Sequence, residues 1–201
     1  MQQPEDINPG AEEVTSRVLD ARSLRGIAHP LRMQLLNTLR RGGPATASQL
    51  AAKLGESSGA TSYHLRQLAA HGFVVDAPEH GKGRERWWKA ADEALVFDSD
   101  KFADAGSEMR GTVDLFLHEV ANTHAREMST WIGTRDEWPE PWSHATDMSD
   151  ATLRLTPELA RELVAKMHAL VQDYRTLSSG EDTPETEQVR VHTHLFPVQT
   201  D

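Results

Sequence analysis

The sequence predicts a mainly α-helical fold with a small β component, and three observations lead there. Residues 46–70 hold two short helical patterns on either side of a glycine. Beyond Gly72 the apolar period shortens toward that of strands, in Phe73-Val74-Val75 and again in Arg84-Glu85-Arg86-Trp87-Trp88-Lys89. Two longer helical stripes then occupy residues 102–132 and 157–177.

Taken in order, residues 1–12 (MQQPEDINPGAE) are polar and broken by Pro4, Pro9 and Gly10, the composition of a disordered tail. A helix is expected from there to Ile27, with Val14, Val18, Leu19 and Leu24 on its apolar side. Pro30 suits the first turn of the next helix, where its missing N–H costs nothing, and Leu31, Leu35 and Leu39 give that helix a stripe. Gly42-Gly43-Pro44 ends it, and Ala45-Thr46 is expected as a short strand. Thr46-x-x-Gln49 has capping-box spacing, and Leu50 and Leu54 recur at i, i+4. Gly55 supplies the left-handed residue that ends this helix, and Ser57 or Ser58 caps the next.

On that next helix Leu65, Leu68 and Ala69 face inward, while Tyr63, Arg66 and Gln67 point outward with Ser62 and His64 on the flanks. The outer face carries donors, acceptors and a guanidinium, a set suited to phosphates and base edges. Small residues at Gly59 and Ala60 allow the first turn a close backbone approach. Gly81-Lys82-Gly83-Arg84 then forms the tip of a basic hairpin that can touch phosphates or the minor groove. Helix, turn, helix and basic hairpin is the order of a winged helix-turn-helix, which places its second helix in the DNA major groove.

These residues resemble the ArsR/SmtB-type winged-helix repressors. His29-Pro30-Leu31-Arg32 matches their "HP-R" motif, and Ser62-Tyr63-His64-Leu65 through Gly72-Phe73-Val74 matches their recognition-helix pattern. The resemblance covers roughly residues 15–90. It implies a dimeric transcription regulator in which Ser62, Tyr63, His64 and Arg66 contact DNA and the helix before His29 helps to form the dimer. The family's cysteine-rich metal motif is replaced by Ser48-Gln49-Leu50-Ala51-Ala52-Lys53-Leu54. The chain has no cysteine, which excludes disulfides, thiolate metal sensing and a cysteine nucleophile.

Charge supports the same segment. From Val14 to Ala90, 12 Lys and Arg stand against 5 Asp and Glu, a net of +7 in a chain of net −10. Residues 1–13 carry −4 and residues 91–201 carry −13, so any affinity for nucleic acid must lie in this one module. The expected DNA contacts are Ser58, Thr61, Ser62, Tyr63, His64, Arg66 and Gln67, with Arg32, Lys82, Arg84 and Arg86 on phosphates.

Residues 90–100 read as a helical or irregular connector. In the helix that follows, Met109, Val113, Phe116, Val120 and Trp131 share one face, with Leu117 and Met128 beside it. A second copy of the chain is the expected cover for that stripe. His124 and Glu127 lie on it three residues apart, either as a buried pair at the dimer seam or as part of an effector or metal site. Trp131, Trp138 and Trp142 crowd the next loop, which either closes over the C-terminal core or walls an apolar effector pocket. Ala151–Leu155 and Gln188–Pro197 alternate like strands around a helix opened by Thr156-Pro157-Glu158, and a β-α-β unit is expected. Short members of the resembled family lack such a region. His192 and His194 alternate on the last strand, a weak metal candidate that Arg190 beside them disfavours.

The expected organisation is a tail (1–12), a winged helix-turn-helix DNA-binding domain (13–91) and a C-terminal α/β dimerisation and effector region (92–201). The expected function is a cytoplasmic, homodimeric, sequence-specific regulator, a repressor by resemblance, that binds an inverted-repeat operator in double-stranded DNA and responds to a small molecule. A winged-helix protein-interaction module and a His/Glu metal sensor are the alternatives. No cofactor is expected. The sequence shows no apolar leader, no membrane span, and no nucleophile elbow, P-loop, HExxH or dinucleotide fingerprint, so neither a membrane partner nor an enzyme is expected.

Overall fold

The computed structural model describes residues 16–81, 85–92, 94–177, 183 and 185–199. The chain divides into two compact units, residues 13–130 and residues 1–12 with 131–201. The first is helical with two small sheets. Strand β1 (Ser16–Val18) leads to helices α1 (Ala21–Ile27) and α2 (Pro30–Gly42), strand β2 (Ala45–Thr46), helices α3 (Ala47–Leu54) and α4 (Ser58–Ala70), and strands β3 (Val74–Asp76), β4 (Trp87–Ala90) and β5 (Ala94–Val96). Helix α5 (Ser107–Thr134) follows.

The caps form where their residues are placed. The Thr46 hydroxyl accepts from the Gln49 N–H (3.3 Å) while the Gln49 side chain accepts from the Thr46 N–H (2.9 Å). Gly55 adopts φ 70° at the end of α3, a conformation that costs a side-chain-bearing residue about 1 kcal/mol. Ser57 accepts from the Ala60 N–H at 3.2 Å and opens α4. Pro30 is the first residue of α2, behind the His29 N-cap. Strands β2, β4 and β3 form an antiparallel sheet in that order, with Ala45 opposite Trp88 and Val75 opposite Lys89. The inward stripes of α2, α3 and α4 meet Phe73, Val74 and Trp88 in one core.

Four expectations are corrected. The helix expected before Ile27 starts only at Ala21, because Asp20 caps it through a capping box with Ser23, and Ser16–Val18 pairs in parallel with β5 instead. The connector after the wing holds β5 for the same reason, the two edges completing each other. The stripe on α5 is covered by the chain itself: Met109 and Phe116 are buried in the winged-helix core with Val113 and Val120 packed against it, and Phe97 stacks between Phe102 and Phe116. Val113 and Val120 keep partial exposure there. In the second unit, α6 (Glu140–Ser143) and α7 (Pro157–Leu177) form, the latter with the Thr156 hydroxyl accepting from the Leu159 N–H (3.3 Å). The segments 151–155 and 188–197 carry no strand, so the β-α-β unit is not formed. Alternation favours extended backbone, but a strand also needs a partner edge in register.

The α5 packing yields a stability prediction. Val113→Glu with Val120→Glu lowers unfolding stability by about 3 kcal/mol or more, read as a shifted urea midpoint, since two carboxylates enter a core contact. Wild-type stability in a protein turned monomeric would instead return this stripe to a dimer interface.

Candidate nucleic-acid interface

Helix α4 is held by one face and offered by the other. Thr61, Leu65 and Leu68 are fully buried, whereas Ser58, Tyr63 and Arg66 are exposed and Ser62 and Gln67 half-exposed. Tyr63 stands 54% exposed in a position where burial would be expected of an aromatic without a partner in solution. Gly59 has open space where a side chain would project, so the first turn of α4 can approach another backbone. Beside this face lies a cleft of about 530 Å³ lined by Thr46, Ala47, Ser48, Ser62, Arg66, Glu85, Arg86 and Trp88. Two guanidinium groups, three hydroxyls, the Glu85 carboxylate and the first turn of α3 thus converge on one groove.

The cations differ in how they are held. The Arg66 Nε donates to the Ser62 carbonyl of its own helix (3.1 Å) and the side chain makes no ion pair among the described residues. Arg86 pairs through two nitrogens with Asp76, its Nη2 2.6 Å from Oδ2, and lies flat over Trp88 at 4.1 Å from the ring centroid. The pair holds the Asp76 carboxyl below, and the Arg86 guanidinium above, its ordinary value. Lys89 lies 2.9 Å from Glu79, and the Ser48 hydroxyl donates to Glu85 at 3.1 Å. The wing strands therefore carry carboxylates that neutralise part of their own charge.

Three sequence-predicted contacts turn inward. Thr61 is 0% exposed and its hydroxyl faces the core, because on α4 it falls on the same side as Leu65 and Leu68. Arg32 donates to the carbonyl of Gly26 (2.6 Å), closing the end of α1 rather than facing solvent. His64 packs on His29, their centroids 4.4 Å apart, with Tyr63 edge-on to it at 5.1 Å. Lys82 and Arg84 lie outside the described residues.

The sequence reading missed Arg17. Its guanidinium donates to the carbonyls of His71 (2.9 Å) and Gly72 (2.7 Å) at the end of α4 and pairs with Asp92 at 2.7 Å. The one signal was a lone cation beside a hydrophobic pair, which local spacing does not interpret.

Of the candidate effector residues, Glu127 forms an ion pair with Arg41 of α2 and His124 is half-buried on α5. Trp131, Trp138 and Trp142 do meet, in a cleft of about 280 Å³ completed by Arg135, Asp136, Ser143 and Thr146. His192 and His194 lie ring to ring at 6.5 Å. Among the described residues no group of three or more His, Cys, Asp or Glu is placed to hold a metal ion, and no helix is long and apolar enough to cross a membrane.

Comparison with known families agrees with this geometry. Residues 27–76 match a family described as a helix-turn-helix domain. The match spans α2 to β3 and includes the whole of α3 and α4. A search of curated proteins finds no match. Among solved structures, the chain is similar to the homodimeric winged helix-turn-helix DNA-binding domain of a possible ArsR-family transcriptional regulator from Mycobacterium bovis, at 20% identity over 53% of this chain and 82% of that one, with a TM-score of 0.33. A possible transcriptional regulator for arsenical resistance is 29% identical over 47% of this chain and 83% of its own, with a TM-score of 0.31. Reduced HlyU from Vibrio cholerae is 20% identical over 49% and 84%, with a TM-score of 0.32.

The histidine pair in the helix-turn-helix domain makes stability depend on pH. Burial first, then Arg32 beside it, pushes the His29 imidazole below its ordinary value; burial, His29 and Arg32 do the same to His64, with Glu56 opposing. Both folded values are depressed, so the unfolded chain takes up protons first as pH falls, and stability drops. The unfolding midpoint should therefore fall between about pH 7 and pH 5, the window just below the unfolded histidine value. His29→Asn, which keeps a capping side chain, combined with His64→Gln should flatten that slope. An unchanged slope would place the titration elsewhere.

Proposed function

We propose that this protein is a sequence-specific transcriptional regulator of the ArsR/SmtB type, a repressor that binds double-stranded DNA as a homodimer. The observation that carries the reading is α4: its inner face is locked into the core while Ser58, Ser62, Tyr63, Arg66 and Gln67 form an outward polar face inside a recognised helix-turn-helix domain. Tyr63, Arg66 and Gln67 read base edges. Ser48 and Arg86 line the adjoining groove and hold the backbone, with Lys82 and Arg84 extending that role at the wing tip. The protein works in the cytoplasm, where this DNA is.

The second copy sits on the outward side of α5. Leu117 (42% exposed) and Met128 (39% exposed) share that side with Ala121, an apolar seam separate from the buried Met109–Phe116 face. Two copies joined there read an inverted repeat, which is what a two-fold dimer of recognition helices requires. The region beyond residue 130 supplies the effector response, with Trp131, Trp138 and Trp142 as the receiving residues.

Sequencing the genomic DNA retained by purified protein at moderate salt should recover one inverted repeat. On that repeat, Arg66→Ala costs about 1–3 kcal/mol and relaxes base preference at one position of each half-site, measured by fluorescence anisotropy on a set of single-base variants. Uniform weakening across all variants would make Arg66 a phosphate contact, and no enriched sequence with a flat salt dependence would favour a protein-binding winged helix. Separately, Leu117→Glu with Met128→Glu gives monomers by light scattering at an unchanged unfolding midpoint; an intact dimer moves the interface elsewhere.

A further inference from the structure

The cleft formed by the three tryptophans has a chemistry of its own. Trp131 comes from the last turns of α5, while Trp138 and Trp142 are set by the short turns that follow, where the Trp142 and Ser143 N–H groups both donate to the Pro139 carbonyl (2.9 and 3.1 Å). The cleft is thus built by local hydrogen bonding. Trp138 is 41% exposed, and among the described residues none of the three indoles stacks on another ring. Three indoles therefore line a cleft of about 280 Å³, at the small end of the range for ligand pockets.

The electrostatics select the occupant. Between residues 131 and 150 there is one cation, Arg135, against Asp136, Glu137, Glu140, Asp147 and Asp150, a net of −4. The Arg135 Nε lies 3.6 Å from Asp136, so its charge is already partly answered inside the cleft. Indole faces are negative, and stacked around a cavity they attract a cation whose hydration is weak. An anion meets a negative surround. A small metal ion finds only one carboxylate in the lining and keeps its water. A neutral ring gains the burial and forgoes the charge.

We propose that this cleft is a binding site for a small organic cation with an apolar body, of the quaternary or alkylated ammonium class, with Trp131, Trp138 and Trp142 lining it and the net negative charge of residues 131–150 as counter-charge. This rests on the effector-responsive reading given above and names the chemistry of its ligand.

Benzyltrimethylammonium is a suitable probe of the full chain by titration calorimetry, with benzoate and benzyl alcohol as the anionic and neutral comparators of the same ring. The cation should bind saturably at one site per chain, with a dissociation constant of about 1 mM or tighter. It should bind at least roughly tenfold tighter than either comparator. Trp138→Ala and Trp142→Ala should remove the binding, Asp136→Asn should weaken it several-fold, and Trp138→Phe, which keeps an aromatic face, should retain it with an unchanged circular dichroism spectrum. No binding, comparators that bind as well, or binding that survives the alanine variants would overturn the site. DNA affinity of the same preparations is measured without the probe. A cation-binding protein with no DNA affinity counts against the regulator, and a DNA-binding protein with no cation affinity counts against the cleft.

Discussion

The recognition helix stays in place because its C-terminal end is held by Arg17. The guanidinium closes the carbonyls of His71 and Gly72, pairs with Asp92 and lies 5.0 Å from the centre of the Phe73 ring. A cation at a helix C-terminus is favourable on charge alone, and each charge-assisted bond in a part-buried site contributes about 1.5–3 kcal/mol. The same arginine belongs to β1, which is paired with β5, and the backbone carbonyl of Asp92 accepts from Arg40 of α2 at 2.9 Å. Strand, recognition helix and wing exit are thereby fastened at one point. Gly26 continues the arrangement from the other side, since any side chain there would collide with the His71 ring. A helix presented to DNA must keep its orientation without a partner, and this cluster provides that.

Fixing the helix also fixes which charges remain for a ligand. The module's net of +7 overstates what it can offer, because Arg17, Arg32, Arg40, Arg41, Arg86 and Lys89 are all engaged within the protein. Arg66 is different, since among the described residues its side chain bonds to its own helix alone. A phosphate that recruits Arg86 must displace Asp76, one anion for another, so that contact adds geometry more than net attraction. The Trp88 ring, 4.1 Å from the guanidinium carbon, remains a cation–π partner in either case. The charge left for a polyanion on this module is therefore modest, and the outward side chains of α4 are its least engaged polar groups.

Local rules made the helix-turn-helix legible from the sequence. Thr46 and Gln49, Gly55, Ser57 and Pro30 act through neighbours within four residues, and each performs the expected task. What escaped was long-range. Ser16–Val18 is too short to show a period, and its partner lies 78 positions away at Ala94. Helical spacing put Met109, Val113, Phe116 and Val120 on one face, but spacing carries no information on what covers a face; Phe97 and Phe102 do. Thr61 is polar, but its wheel position beside Leu65 and Leu68 buries it, whereas His64, a contact implied by the family resemblance, is half-buried against His29. In the C-terminal half Val189, Val191 and Leu195 alternate as a strand would, but alternation names no partner edge, and residues 188–197 carry no strand.

The acidic half of the chain follows from the same charge argument. Residues 91–201 carry −13, a charge that a DNA duplex repels and an organic cation does not. Sorting basic residues into the reading module and acidic ones into the remainder keeps the two binding tasks from competing for the same surface. Coupling between them needs a ligand that binds two arrangements of the protein with different affinity, because equal affinity shifts nothing. Within the DNA-binding module, Glu127 of α5 is paired with Arg41 at the end of α2, the helix that ends where β2 and α3 begin. A ligand coupled to DNA affinity through that pair is therefore one that binds differently when the pair is made and when it is broken.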